Sequence, residues 1–126
     1  MEEDINEQEN NENGDKPYDL TGIRSITGDN NGFLEQLISV FISSISADLQ
    51  SLNEKAKLGD WKQVSTIAHK IKSPLSQFGI DAGGVIGNLE NQDGFNADEL
   101  HLFTERLNAL LNDVIYHLKQ EFPGND

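Results

Sequence analysis

The sequence predicts an all-α protein: an up-and-down antiparallel four-helix bundle with an additional short N-terminal helix. Three observations lead there. Apolar residues recur at intervals of three and four along four long stretches, the spacing that gathers side chains on one face of a helix. Short segments holding glycine, asparagine or aspartate separate these stretches and supply helix stops and N-caps. The chain has 126 residues and no cysteine, enough for one bundle core and without a disulfide or thiolate framework.

Residues 1–16 carry seven acidic residues, four asparagines and one lysine. Such a composition buries too little apolar surface to offset the entropy of ordering, so a disordered acidic tail is expected there, serving solubility or linkage. The folded domain is expected over 17–122, with 123–126 as a short C-terminal tail. Over 18–27, Leu20, Ile23 and Ile26 make one or two helical turns, a lid over one end of the bundle. Gly28, Asp29 and Asn30 then provide a stop and an N-cap. A long helix follows over 32–56, with Leu34, Leu37, Ile38, Phe41, Ile45, Leu49 and Leu52 as its inner stripe. Phe33, Val40 and Ile42 widen the apolar face beyond what one stripe needs. They either pack against the first short helix or remain exposed as a docking surface.

Residues 57–59 end that helix, and Asp60 begins the next with Gln63 in capping-box register. The tight connection implies a helical hairpin. Over 60–78, Val64, Ile67, Ala68, Ile71, Leu75 and Phe78 fall within roughly 40 to 60° of one direction at about 100° per residue. His69 comes out about 140° away, among Lys62, Ser65, Lys72, Ser73 and Ser76. Pro74 lacks the amide that would bond the Lys70 carbonyl, so it either bends the helix or ends it. After the turn at Gly79, Asp81 is the expected cap of a helix reaching residue 91, with Ala82, Val85, Ile86 and Leu89 inward. Gly83, Gly84 and Gly87 together cost about 3 kcal/mol of helix propensity relative to alanine, so packing must hold this element. Asn96 and Glu99 form a second capping-box pattern. The last helix carries Leu100, Phe103, Leu107, Leu110, Leu111, Val114, Ile115 and Leu118 and finishes before Pro123.

Composition narrows the function. Twenty-two acidic residues against nine Lys plus Arg give a formal charge of −13, a surface that repels nucleic acid and anionic lipid, so neither is an expected partner. Beyond residue 16 the balance stays acidic, at 15 acids against eight bases. A mean hydropathy of −0.53, no unbroken apolar run of spanning length and an acidic N-terminus unlike a secretory signal lead to a cytoplasmic expectation without membrane insertion. His101 and His117 lie sixteen residues apart and roughly 160° around their helix, which argues against a shared metal site. No phosphate-binding glycine loop marks an ATP-dependent kinase.

His69 is the one residue expected to carry chemistry. A neutral imidazole presents one ring nitrogen with a lone pair while the other serves as a donor, which makes it a nucleophile near neutral pH. Phosphoryl transfer to it requires open approach and a nearby cation. Lys72, three residues on, lies on the same flank; Ser73 and Ser65 are small where a leucine would screen the ring, and Ser76 offers a hydrogen bond. Lys70 points to the other flank and is expected to be solvated.

The run Ala68-His69-Lys70-Ile71-Lys72-Ser73, followed by Phe78-Gly79, resembles the histidine-containing phosphotransfer (HPt) domain of multistep two-component phosphorelays. His69, Lys72, Ser73 and Gly79 fill the places of that family's histidine, lysine, small residue and glycine. The likeness extends over about 18–122 and includes the Gly28-Asp29 turn and the Gly59-Asp60-Trp61 junction. Ser73 stands where glycine is usual, and Pro74 where a small polar residue is common. The resemblance implies that His69 accepts a phosphoryl group from the aspartyl phosphate of a receiver domain and passes it to another receiver. It implies Lys72 as the balancing charge, Ser73 as an access position and Asn91 as the residue that positions the imidazole. The partners it implies are response-regulator receiver domains and a hybrid sensor histidine kinase, docking over a rim including Ile23, Ile26, Phe33 and Ile42. No cofactor is intrinsic; magnesium is expected on the partner receiver. A monomer is expected, because the transferring histidine must stay free. The competing reading is a helical docking module that binds receivers without accepting phosphate.

Overall fold

The computed structural model describes residues 16–123. The acidic tail expected over 1–16 lies outside the described residues apart from Lys16, as does the C-terminal tail apart from Pro123. Among the described residues the protein is all-helical, with five helices and no strand: α1 Thr21–Thr27, α2 Asn31–Lys57, α3 Trp61–Gln77, α4 Gly83–Glu90 and α5 Ala97–Glu121.

Capping chemistry sets most of these boundaries. The Asp19 carboxylate accepts from the Thr21 amide at 3.0 Å and the Thr21 hydroxyl at 2.6 Å. This local turn delays α1 to Thr21, three residues later than the apolar spacing alone predicts. Gly28, at φ +58°, closes α1, and Asn30 caps α2 by accepting from the Phe33 amide at 2.9 Å. Asp60 caps α3 through the Gln63 amide at 3.3 Å. The return half of that capping box is displaced, because the Asp60 amide donates instead to the Lys55 carbonyl at 2.9 Å. In α5 the box is complete, Asn96 accepting from the Glu99 amide at 2.8 Å and Glu99 from the Asn96 amide at 2.9 Å.

One element answers an alternative the sequence leaves open, and another departs from expectation. α3 continues through Pro74 to Gln77, so the proline does not end it; the carbonyl of Lys70, an exposed residue, loses its i+4 donor. α4 begins at Gly83, not Asp81, with no side-chain cap, and Asp81 reaches the Gly83 amide only at 3.5 Å. Its three glycines weaken the helix at its start and middle, and it persists where Ile86 and Leu89 are buried.

The core is one cluster drawn from all five helices. α2 packs against α1, α3 and α5, while α4 packs between α3 and α5. Helix α2 buries Leu34, Ile38, Phe41, Ile42, Ile45, Leu49, Leu52 and Ala56. By length and composition it is also long and apolar enough to cross a membrane, with a mean hydropathy of 1.2 over its most apolar window. Phe41 stacks on Phe78 with ring centroids 4.1 Å apart, joining α2 to the end of α3. Asn53 and Asn108 exchange amide hydrogen bonds between α2 and α5 at 2.7 and 2.6 Å, and Asn108 also donates to the Thr104 carbonyl.

Before α1 the chain crosses the turn that follows α3. The Asp19 amide donates to the Phe78 carbonyl at 3.1 Å. Gly79, at φ +65°, lies directly beneath: a Cβ there would come within 2.7 Å of the Asp19 amide nitrogen and Cβ, and closer still to its carbonyl oxygen. The same segment is tied to the end of α5, since Glu121 accepts from Tyr18 at 2.7 Å and Lys16 at 3.1 Å, with Arg24 3.6 Å away.

Burial, reinforced by the Glu121 carboxylate, pushes the Tyr18 phenol above its ordinary value of 10.0. The folded state therefore keeps a proton that the unfolded chain releases as pH rises past 10. The stability this conveys is complete below pH 10 and declines above it, by up to about 1.4 kcal/mol per pH unit. Urea titrations from pH 9 to 12 should show a steeper alkaline loss for the wild type than for Tyr18→Phe. Equal slopes would contradict this role for Tyr18.

Candidate functional site

Helix α3 is oriented by its buried face, where Val64, Ala68, Ile71 and Leu75 enter the core. That commitment turns His69 outward, and its side chain is 77% exposed. The ring is nevertheless held. Its Nδ1 lies 2.5 Å from Oε2 of Glu90, the last residue of α4. Lys72 Nζ donates to the other oxygen, Oε1, at 3.1 Å, so histidine and lysine share one carboxylate.

Glu90 is itself fixed from two sides. Its side chain is only 19% exposed, and the Ser65 hydroxyl donates to its backbone carbonyl at 2.8 Å. The hydrogen bond with His69, then that with Lys72, hold its carboxyl below the ordinary value of 4.5 against a smaller opposing effect of burial. At neutral pH Glu90 is therefore ionised and can only accept. The contact requires a proton on Nδ1, and in a neutral ring Nε2 then carries the lone pair. Nε2 makes no hydrogen bond to any described residue, on a side chain that is largely exposed.

The remaining site residues fall into place around this centre. Ser73 and Ser76 are exposed on α3, and Ser76 lines an apolar groove described below. Asn91 makes no hydrogen bond to the imidazole, whose Nδ1 meets Glu90. It caps α4 in an extended conformation, φ −113° and ψ 92°, with its amide bonded to the Gly87 carbonyl; Glu90 occupies the place beside the ring. Lys70 is not simply solvated, for its ammonium donates to Asp48 of α2 at 2.9 Å. On α5, His101 meets the edge of Trp61 at 4.8 Å, and His117 Nδ1 lies 2.9 Å from the Asp113 carbonyl oxygen.

A groove of about 600 Å³ runs between α1, α2 and the last turns of α3. Ile26, Phe33, Leu37 and Val40 line it on one side and Pro74, Ser76, Gln77 and Phe78 on the other, with Asp48 also in its wall. Ile26 and Val40 are more than 60% exposed. Ile42, expected on this rim, is 7% exposed and faces the core; Val40 is the residue presented instead. Ile23 lines the groove as a buried wall residue. The apolar excess of α2 thus divides, Ile42 inward and Phe33 with Val40 outward.

Comparison with protein-family models, with characterised proteins and with solved structures finds no match for this chain.

Proposed function

We propose that this chain is a histidine phosphotransfer protein of a multistep phosphorelay, an HPt module in which α2 to α5 form the antiparallel four-helix bundle and α1 its lid. His69 accepts a phosphoryl group from the aspartyl phosphate of one response-regulator receiver domain and passes it to another. A hybrid sensor histidine kinase stands upstream, in the cytoplasm, and this chain acts as a monomer. The observation that carries the reading is the exposed His69 side chain, one of whose ring nitrogens is tied to Glu90, with the Lys72 ammonium on the same carboxylate.

In the transfer step, the Nε2 lone pair attacks phosphorus in line. The new N–P bond forms as the P–O bond to the donor aspartate breaks, its electron pair returning to that carboxylate. The Lys72 ammonium balances the arriving charge, and the small Ser73 leaves the approach open. Ser76 is a hydrogen-bonding group on the same helix. Magnesium belongs to the receiver's acidic pocket and no cofactor is intrinsic to this chain. No ATP-dependent step is assigned to it.

The apolar groove supports receiver docking close to the histidine, since Ser76 in its α3 wall lies two turns beyond His69 on the same helix face. Val40→Glu places a charge on the opposite wall, on α2, at an exposed position. Titration calorimetry with a receiver should show association weakened at least about tenfold, a loss of 1.4 kcal/mol, with the melting temperature unchanged. Undiminished association would remove the groove from the docking surface.

The test of the function is transfer from a receiver charged with phosphate and magnesium to the wild-type chain and to His69→Gln. Acid-labile, base-stable label on the wild type alone supports the relay reading. Receiver binding without label on the wild type would favour the docking module that accepts no phosphate.

A further inference from the structure

One carboxylate ties α1 and the segment before it to the bundle. Glu121, the last residue of α5, accepts at Oε1 from Tyr18 and Lys16, at 2.7 and 3.1 Å, while Arg24 of α1 stands 3.6 Å from Oε2. The same segment bonds the Phe78 carbonyl through the Asp19 amide, over the bare Gly79. Helix packing by itself gives α1 a narrower hold. It is seven residues long, buries only Ile23 and Thr27, and of the other helices packs mainly against α2. Its separation from α3 is therefore set by the crossing at Gly79 and by the contacts of Glu121. That separation shapes the apolar groove, because Gly22, Ile23 and Ile26 of α1 form one of its walls, opposite the last turns of α3. Gly28, at φ +58° and with no atom within 4 Å of a built Cβ, is the joint between α1 and α2.

We propose that residues 16–27 form a hinged flap that opens and closes as one unit about Gly28, latched on Glu121, and that the docking groove exists only while the latch is closed. The second clause rests on the docking reading of the groove. The flap moves as a unit because its internal ties are continuous. The Asp19 carboxylate holds the start of α1 through the Thr21 amide and hydroxyl, and the Leu20 carbonyl accepts from the Arg24 amide. Beyond Thr27 the chain turns through Gly28 before Asn30 caps α2, and a short turn of this kind can absorb a hinge rotation. Opening breaks the contacts of Glu121 and the Asp19–Phe78 bond together, and lifts the buried Tyr18, Leu20 and Ile23 from the core. It is thus a sub-global opening, rarer than fraying and more frequent than unfolding of the bundle. With the flap raised, the groove loses its α1 wall, and Phe33 and Val40 are left on an open face of α2. A partner that fills the groove selects the latched form and so stabilises the latch, although neither Tyr18 nor Glu121 lines the groove.

The experiment is native-state amide hydrogen exchange on the full chain, followed by NMR at three amides: Asp19, bonded to Phe78; Arg24, bonded to Leu20; and Gly28, bonded to Arg24. In the wild type the three should share one degree of protection, below that of the buried turns of α2 and α3. Tyr18→Phe removes one donor to Glu121 while keeping the buried ring, and Glu121→Ala removes the acceptor itself. Each should speed all three amides by a common factor, roughly tenfold for Tyr18→Phe, the scale of a hydrogen bond to a charged group. Exchange in α3 should not change. Acceleration at Asp19 alone, with Arg24 and Gly28 unmoved, would overturn the single unit. A saturating receiver should slow all three amides by a common factor, Asp19 included, although Asp19 does not line the groove. A receiver whose binding is lost in Val40→Glu, yet which leaves Asp19 exchange unchanged, would overturn the dependence of the groove on the latch. Failure of every receiver to bind would overturn the docking reading and with it the gating of a partner, while a common response of the three amides to Tyr18→Phe would keep the latched flap.

Discussion

His69→Gln is expected to reduce transfer from a charged receiver by about 10⁶-fold, the scale reached when a catalytic nucleophile is deleted, and so to eliminate detectable label. Glutamine is the informative replacement. Its amide nitrogen can still donate toward Glu90, which keeps the carboxylate partnered, but the amide has no nitrogen lone pair able to attack phosphorus. Because the histidine side chain is 77% exposed, the substitution removes little packing, and helicity and melting temperature should stay within the range of a surface change, about 0.5 kcal/mol. Receiver binding should persist, since the groove walls are untouched. Label on the variant would place the acceptor elsewhere in the chain.

Gly79→Ala is expected to cost about 3–5 kcal/mol, at the upper end of what one substitution does. Two effects combine. The left-handed backbone at φ +65° costs an alanine about 1–2 kcal/mol, and the new Cβ meets backbone atoms of Asp19, which cannot move aside as a flexible side chain could. Relief requires the 16–20 segment to lift, breaking the Asp19–Phe78 hydrogen bond and loosening Tyr18 from Glu121. For a domain of this size the melting temperature should fall by roughly 15–30 °C. Gly28 and Gly59 are the internal controls. Both have positive φ but no atom within 4 Å of a built Cβ, so alanine there should cost only the backbone part. Equal losses at all three positions would rule out the crossing as the source of the effect at Gly79.

The glycine that the sequence motif places ten residues after the histidine thus has a physical reason separate from the chemistry. It is the floor over which the N-terminal segment passes. Local spacing could mark it as a turn, but the crossing partner lies sixty residues away in sequence and leaves no local signal.

The helical faces were legible because periodicity and burial are the same constraint seen twice. Val64, Ala68, Ile71 and Leu75 turn inward as their spacing requires, and His69 turns outward for the same reason. The caps at Asn30, Asp60 and Asn96 were legible because short polar side chains satisfy free amides at helix starts. Glu90 was not, and α4 explains why. Counting along an uninterrupted helix leads to Asn91, but three glycines and the absence of a side-chain cap leave a helix of eight residues that ends at Glu90. Asn91 then leaves the helical path, and its side chain with it. The available signal was chemical, since Glu90 is the only ionisable side chain in that helix and the histidine's own flank carries lysines in need of an acid. Ile42 was misplaced for a different reason. On a helix apolar over so wide an arc, periodicity alone does not say which edge of the stripe a neighbouring helix will cover.

The amide pair between α2 and α5 bears on how such a chain tolerates substitution. Asn53 and Asn108 each use the other as donor and acceptor, so replacing one strands a half-buried amide at a cost of about 1–3 kcal/mol. Replacing both with leucine removes the stranded group and can be nearly neutral. Single substitutions are therefore expected to destabilise where the paired substitution does not, so the two positions, fifty-five residues apart, are energetically one unit, which a double-mutant cycle would read as a coupling.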